Sequence, residues 1–211
     1  MLALQAGGPY HLAGWSVGGI LAQAVAAVLQ ARGRTVGIVA LLDAYPSEAW
    51  RDRPEPAPQD LHKALLHIAG ADPDALPPER LNRHGVIEFL RAQGHPLGEL
   101  SDARLDAVFQ TVGHTNRLVR GHRHARYEGA ALHFQAALDH ADSGLDPRMW
   151  QPHVGTLACH AVDSTHAGLP SAAATARIAP VLDASLLAAD SAAGACARSP
   201  LQPHRSHEEP A

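Results

Sequence analysis

The sequence predicts an α/β fold, and three observations carry that reading. An apolar stretch over residues 10–15 reads as a strand, residues 17–32 as a helix, and residues 36–42 as a second strand. The second strand is apolar throughout, as expected for a strand covered on both faces in a parallel sheet. Strand, helix, strand is a βαβ unit, and strand signals return twice before a last helix near the C-terminus.

Each element has its own reason. In residues 17–32, Ile20, Leu21, Ala24, Val25, Val28 and Leu29 recur at helical spacing, and Gly33 supplies a stop. The following apolar run ends at Asp43. Residues 46–58, PSEAWRDRPEPAP, are rich in proline and read as excluded from the core. Three helical patterns then occupy 60–69, 83–93 and 102–120 with no strand between them. A helical insertion between strands of such a sheet commonly caps the site at the strand ends, so 46–121 reads as a lid. Strand signals return at 131–138, ALHFQAAL, followed by Asp139, and at 157–162, LACHAV, leading into DSTHAGLP. A last helix covers 171–189. Residues 1–190 thus form one domain, and the polar remainder, 191–211, reads as a disordered tail.

With 211 residues, 46 % hydrophobic and 18 % charged, the chain is long enough for one domain with a real core. The net charge of −4 lacks the basic surplus that nucleic-acid binding requires. Lys63 is the only lysine, and the richness in Arg, Ala and His reads as compositional bias rather than chemistry. Cys159 and Cys196 do not make a disulfide framework and are expected as two thiols in a reducing compartment. No apolar run reaches the length of a membrane span, and the N-terminus has no basic region leading into an apolar core. The expected location is the cytoplasm.

Chemistry concentrates at Gly14-Trp15-Ser16-Val17-Gly18, which matches the G-x-S-x-G nucleophile elbow. There a serine occupies a strained turn from strand to helix, and a side chain at either flanking glycine is expected to crowd it. The turn lifts the hydroxyl clear of the sheet, and the Val17 N–H at the helix start is the candidate oxyanion donor. The plainer alternative is a tight turn with no chemistry. A nucleophilic serine needs a base and a group to orient it, both at strand C-termini and later in the chain. His166, between the last strand and the last helix, is the candidate base; His160, inside that strand, reads as a packed or surface residue. Asp43 and Asp139 both end strands, and the pattern alone leaves the orienting acid open between them.

Other features are set aside. The pair His122 and His124 in GHRHAR, and His62 with His67 on one lid helix, lack the Cys or carboxylate partners of a metal site and read as solvated. The arginines over 117–126 read as a solvated face, with contact to a phosphate or an acidic surface as the functional alternative. Trp15 reads as core, or else as the lining of a pocket beside Ser16.

The residues GPYHLAGWSVGG, ALLDAYP, ALHFQAALD and W…VGTLACHAVDSTHAGL resemble the thioesterase domain of non-ribosomal peptide synthetases from about Gly8 to Leu187, more weakly in the lid. The resemblance implies an α/β-hydrolase fold with a helical lid. It also implies Ser16 as nucleophile, His166 as base and Asp43 as acid, since in that family the acid follows the strand directly after the elbow helix. Family members carry several strands and a helix before the elbow, where this chain has about a dozen residues. The expectation is therefore a partial fold, N-terminally truncated, with the elbow strand at an edge.

By the same resemblance, a carrier protein delivers a peptidyl or acyl chain as a thioester on its phosphopantetheine arm. Serine takes the chain as an ester, and water or an internal nucleophile releases it. No metal or redox cofactor is implied. The alternatives are a catalytically impaired remnant that acts by association with upstream modules or with a segment completing the sheet, and another serine esterase of the same fold that uses Asp139.

Overall fold

The computed structural model describes residues 5–72, 74–140 and 143–197, with side chains described to residue 191. Four parallel strands lie in chain order, β1 (Tyr10–Trp15), β2 (Val36–Leu42), β3 (Tyr127–Ala136) and β4 (Val154–Val162). Trp15 sits beside Leu42, Leu42 beside Phe134, and Phe134 beside His160, so the strands finish almost level. Among the described residues, β1 stands at an edge, as expected.

β3 and β4 begin earlier than their apolar runs. Tyr127 pairs with Val154, and both are buried. Glycines hide this start from a hydrophobic pattern, and one of them is needed for close approach: a Cβ on Gly155 would lie 1.9 Å from the Glu128 carbonyl oxygen.

One helix covers each face. Helix α1 (Val17–Ala31) follows β1 and buries Ile20, Ala22, Ala26, Ala27 and Leu29 against Leu12, Val39, Leu41 and Ala131. It ends as its sequence dictates. Gly33 adopts φ +66°, its N–H reaches the Gln30 carbonyl, and the Arg34 N–H reaches that of Leu29, which satisfies the last carbonyls. On the other face, α6 (Ala172–Ala197) sets Ala174 and Ile178 against Ile38, Ala40, Phe134 and Val162. Two expectations change here. The helix continues to Ala197, into the segment read as a tail, and residues 198–211 lie outside the described residues. Its span Ala172–Ser191 is also long and apolar enough to cross a membrane by length and composition, where no such run was expected. The stripe of Ala174, Ile178, Val181, Leu182 and Leu186 packs it onto the sheet, and Asp190 meets His11 of β1 at 3.1 Å.

Between β2 and β3 lies the expected helical insertion, with a short turn of helix α2 (Glu48–Arg51), then α3 (Pro58–Ile68), α4 (Arg83–Ala92) and α5 (Asp102–Gly121). It has a core of its own, Leu65, Leu66, Leu76, Leu81, Val86 and Leu90. The proline-rich start is not wholly excluded from the interior as expected, because Pro46, Ser47 and Ala49 are buried. Arg120 holds the strap by donating to the carbonyls of Arg53 (2.6 Å) and Pro54 (2.7 Å), and Arg126 donates to those of Gln151 and Pro152. Those two arginines are therefore structural ties rather than members of a solvated face.

His124 is also structural, contrary to the solvated reading. Its Nε2 accepts from the Ser47 N–H (3.1 Å), so Nδ1 carries the proton and donates to Gln23 Oε1 (2.7 Å). Gln23, fully buried on α1, donates onward to the carbonyls of Ala125 and His153. One side chain thus joins α1, the lid strap and the entries to β3 and β4. Burial, with His122 and His153 nearby, brings His124 down to about 4 and keeps it neutral. Gln23→Leu would strand a ring N–H and two carbonyls, each costing about 1–3 kcal/mol. Urea unfolding is expected to show a loss of at least about 2 kcal/mol, whereas a mere space-filler would tolerate this near-isosteric change.

Candidate active site

The elbow is built as its sequence implies, with one amendment. Ser16 has φ 55° and ψ −126°, a conformation that costs an L-residue about 1–3 kcal/mol and persists only when its surroundings impose it. Its N–H donates to the Leu42 carbonyl (3.0 Å), and the Gly19 N–H donates to the Ser16 carbonyl (3.0 Å). A Cβ on Gly14 would lie 2.0 Å from the Gly18 backbone, so Gly14 is required. Gly18 itself has open space; the second crowded position is Gly19, whose Cβ would meet that of Ala44 at 2.3 Å. Val17 N–H is the first amide of α1 and has no acceptor within the helix.

Asp43 follows β2 directly and is buried, with φ 45°. Its Oδ2 lies 2.6 Å from His166 Nδ1 and 2.6 Å from His140 Nε2. Its Oδ1 accepts from the Tyr45 hydroxyl (3.1 Å) and the Ala136 N–H (3.0 Å). An ionised carboxylate only accepts, so each imidazole nitrogen carries a proton toward it, and four donors fill its lone-pair sites. The three donor atoms of Asp43, His140 and His166 lie within 4.8 Å of one another, close enough to suggest a cation site. Contacts of 2.6 Å are hydrogen-bond lengths, however, and two ligands about 2.0–2.1 Å from a tetrahedral zinc stand roughly 3.3 Å apart. The cluster is thus built for protons.

His166 is fixed from several sides. The Trp15 indole N–H donates to its carbonyl (3.1 Å), and the two rings sit 5.0 Å apart. Its own N–H donates to the Asp139 carboxylate. Asp139, the other acid the pattern left open, therefore holds the loop backbone and leaves the ring to Asp43. Trp15 packs in the core beside Leu42 rather than lining the cavity. From the lid, His67 stacks on the outer face of His166 at 5.2 Å, so it is not solvated, and burial beside that ring pushes it below the ordinary histidine range. His160 packs against Phe134, as a packing residue should.

Ser16, Asp43 and His166 share a cavity of about 960 Å³ between the strand ends and lid helices α3 and α5. Its walls are mostly aliphatic, with Thr111, Thr115 and Asn116 as a polar strip on α5. Sequence reasoning missed His140, and weighed His67 only as a metal ligand before setting it aside. No motif marks either, since both act through neighbours that only the fold supplies.

Burial alone would raise the Asp43 carboxyl, but the hydrogen bonds from His166, His140 and the Ala136 N–H prevail and hold it at about 2, down from 3.8. A depressed folded value gives stability that is present above the ordinary range and is lost as pH falls from about 4 to about 2. The depression from 3.8 to about 2 corresponds to about 2 kcal/mol. In urea unfolding between pH 5 and 2, Asp43→Asn is expected to show a flatter decline than the parent. Parallel curves would mean that this carboxylate is not held down.

A family profile described as "Thioesterase domain" matches residues 1–186. The "Dimodular nonribosomal peptide synthase" of Bacillus subtilis (strain 168) is 30 % identical over 181 residues, covering 85 % of this chain and 8 % of that protein. "Enterobactin synthase component F" of Escherichia coli O157:H7 is 31 % identical over 189 residues, covering 88 % and 13 % respectively. The chain thus spans a small part of the relatives it matches. Among solved structures, a holo four-domain nonribosomal peptide synthetase bound to AMP and glycine superposes with a TM-score of 0.70 at 20 % identity, over 87 % of this chain and 15 % of that one. That likeness speaks to the fold. By the profile that spans most of its length, with the parallel sheet and helical insertion to match, this chain belongs to the thioesterase domain family.

Proposed function

We propose that the chain releases a peptidyl or acyl group from the phosphopantetheine thioester of a carrier protein, using Ser16, His166 and Asp43 as a triad. The observation that supports it best is the 2.6 Å bond from His166 Nδ1 to buried Asp43, at a cavity that also receives Ser16 from a strained elbow. With Nδ1 committed to Asp43, Nε2 is the nitrogen left for the serine proton.

Ser16 Oγ attacks the thioester carbon as its proton passes to His166 Nε2, and the Val17 N–H stabilises the oxyanion. The carbon–sulfur bond breaks, the pantetheine sulfur takes the proton, and the chain remains as an ester on Ser16. Water, or a nucleophile within the chain, then gives its proton to His166 and attacks the ester; the same proton returns to Ser16 as the product leaves. The scheme uses no metal or redox cofactor. Asp43 stays ionised throughout, which a value near 2 permits.

Intact-mass analysis after exposure to a fluorophosphonate is expected to show one adduct, absent from Ser16→Ala. No adduct on folded protein would overturn the nucleophile assignment. With acyl-pantetheine substrates, Asp43→Asn is expected to reduce turnover by roughly 10⁴-fold, as loss of the orienting acid does elsewhere. Asp139→Asn removes a loop bond and should cost no more than about tenfold. The reverse order would reassign the acid to Asp139. Equal turnover of simple oxygen esters and carrier-bound thioesters would favour a general esterase.

A further inference from the structure

The most unusual feature of the site is that one oxygen serves two imidazoles. His166 and His140 approach Asp43 Oδ2 at the same distance, 2.6 Å, from two different loops. His166 comes from the loop after β4, whereas His140 comes from the loop after β3. From its place in the fold, we propose that His140 is a positioning residue of the triad: its Nε2–H fixes the Asp43 carboxylate so that the remaining lone pair of Oδ2 points at His166. This rests on the reading of Asp43 as the triad acid.

His140 is held for that task. Its side chain is only 12 % exposed, and the Tyr45 ring meets it edge-on at 5.3 Å. Its own carbonyl accepts from the Ser143 hydroxyl (3.1 Å) and N–H (3.3 Å), which closes the loop behind it. Tyr45 in turn donates to the other oxygen of Asp43, so His140, Tyr45 and the carboxylate brace one another. Without His140, the hold on Oδ2 would be His166 itself, the ring that the carboxylate has to orient, and the terminal torsion of aspartate is broad. The second imidazole gives Oδ2 an anchor independent of His166, without using Oδ1.

Two variants of the full chain test this. His140→Phe fills the space without an N–H; His140→Gln keeps a neutral donor. In proton NMR the parent is expected to show two imidazole N–H signals far downfield of the amides, with His140→Phe losing one and His166→Gln losing the other. In kinetics, His140→Phe should lower kcat about tenfold with little change in KM, near the lower end of what a lost hydrogen bond to a charged group costs. His140→Gln should recover most of the rate, since it keeps a neutral donor toward Asp43. A single downfield signal in the parent that survives in His140→Phe would overturn the proposal. So would His140→Phe with parental kcat, or glutamine no better than phenylalanine. The NMR arm needs no turnover: two signals in a chain that shows none would keep the His140 assignment and sink the proposed reaction instead.

Discussion

The buried Asp43 carboxylate organises the site. A charge in a protein interior is tolerated only when its lone pairs are filled, and here each filling group comes from a different stretch of chain. The Ala136 N–H fixes the end of β3, Tyr45 the exit from β2, His140 the loop after β3, and His166 the loop after β4. Those partners converge because Leu42 and Phe134 lie in register and because Asp43 adopts a left-handed turn as the sheet ends. Three strand exits are thereby gathered around one anion, and the strained serine at the end of the remaining strand, β1, opens into the same space.

Charge and packing are coupled through that gathering. Burial works against the Asp43 anion, and its donors more than repay it. Removing any one donor would leave the others short of a full set while the charge stays buried, which makes the cluster cooperative rather than a sum of bonds. The Gln23–His124 network works by the same logic where the chain leaves β2 for the lid, with neutral groups in place of the charge.

Much of this was legible in the residues. The elbow, β1, β2 and the lid helices follow from period and punctuation, because their apolar positions are uninterrupted and their caps lie close in sequence. The starts of β3 and β4 were hidden by Gly129 and Gly155, which disrupt a hydrophobic run while permitting close strand approach. Asp43 and Asp139 could not be separated by pattern, since both end strands. The fold separates them by what each accepts, an imidazole in one case and a backbone N–H in the other. His67 and His140 were illegible for a further reason. With 15 histidines in the chain, their identity carries no information, and their roles depend on partners about 100 residues away.

The lid has its own leucine-rich core and reaches the body in part through bonds to backbone carbonyls, from Arg51 to His122 and from Arg53 to Ser143. Contacts of that kind are indifferent to side-chain identity, so the lid and the sheet can change sequence at different rates. The sheet half is constrained, since Gly14 and Gly19 admit no Cβ and the buried Asp43 needs a donor at each lone pair, whereas the roof is free to change shape. His67 is the exception, because it belongs to the roof yet stacks on His166. A change at that one position would therefore be felt by His166 as well as by the roof.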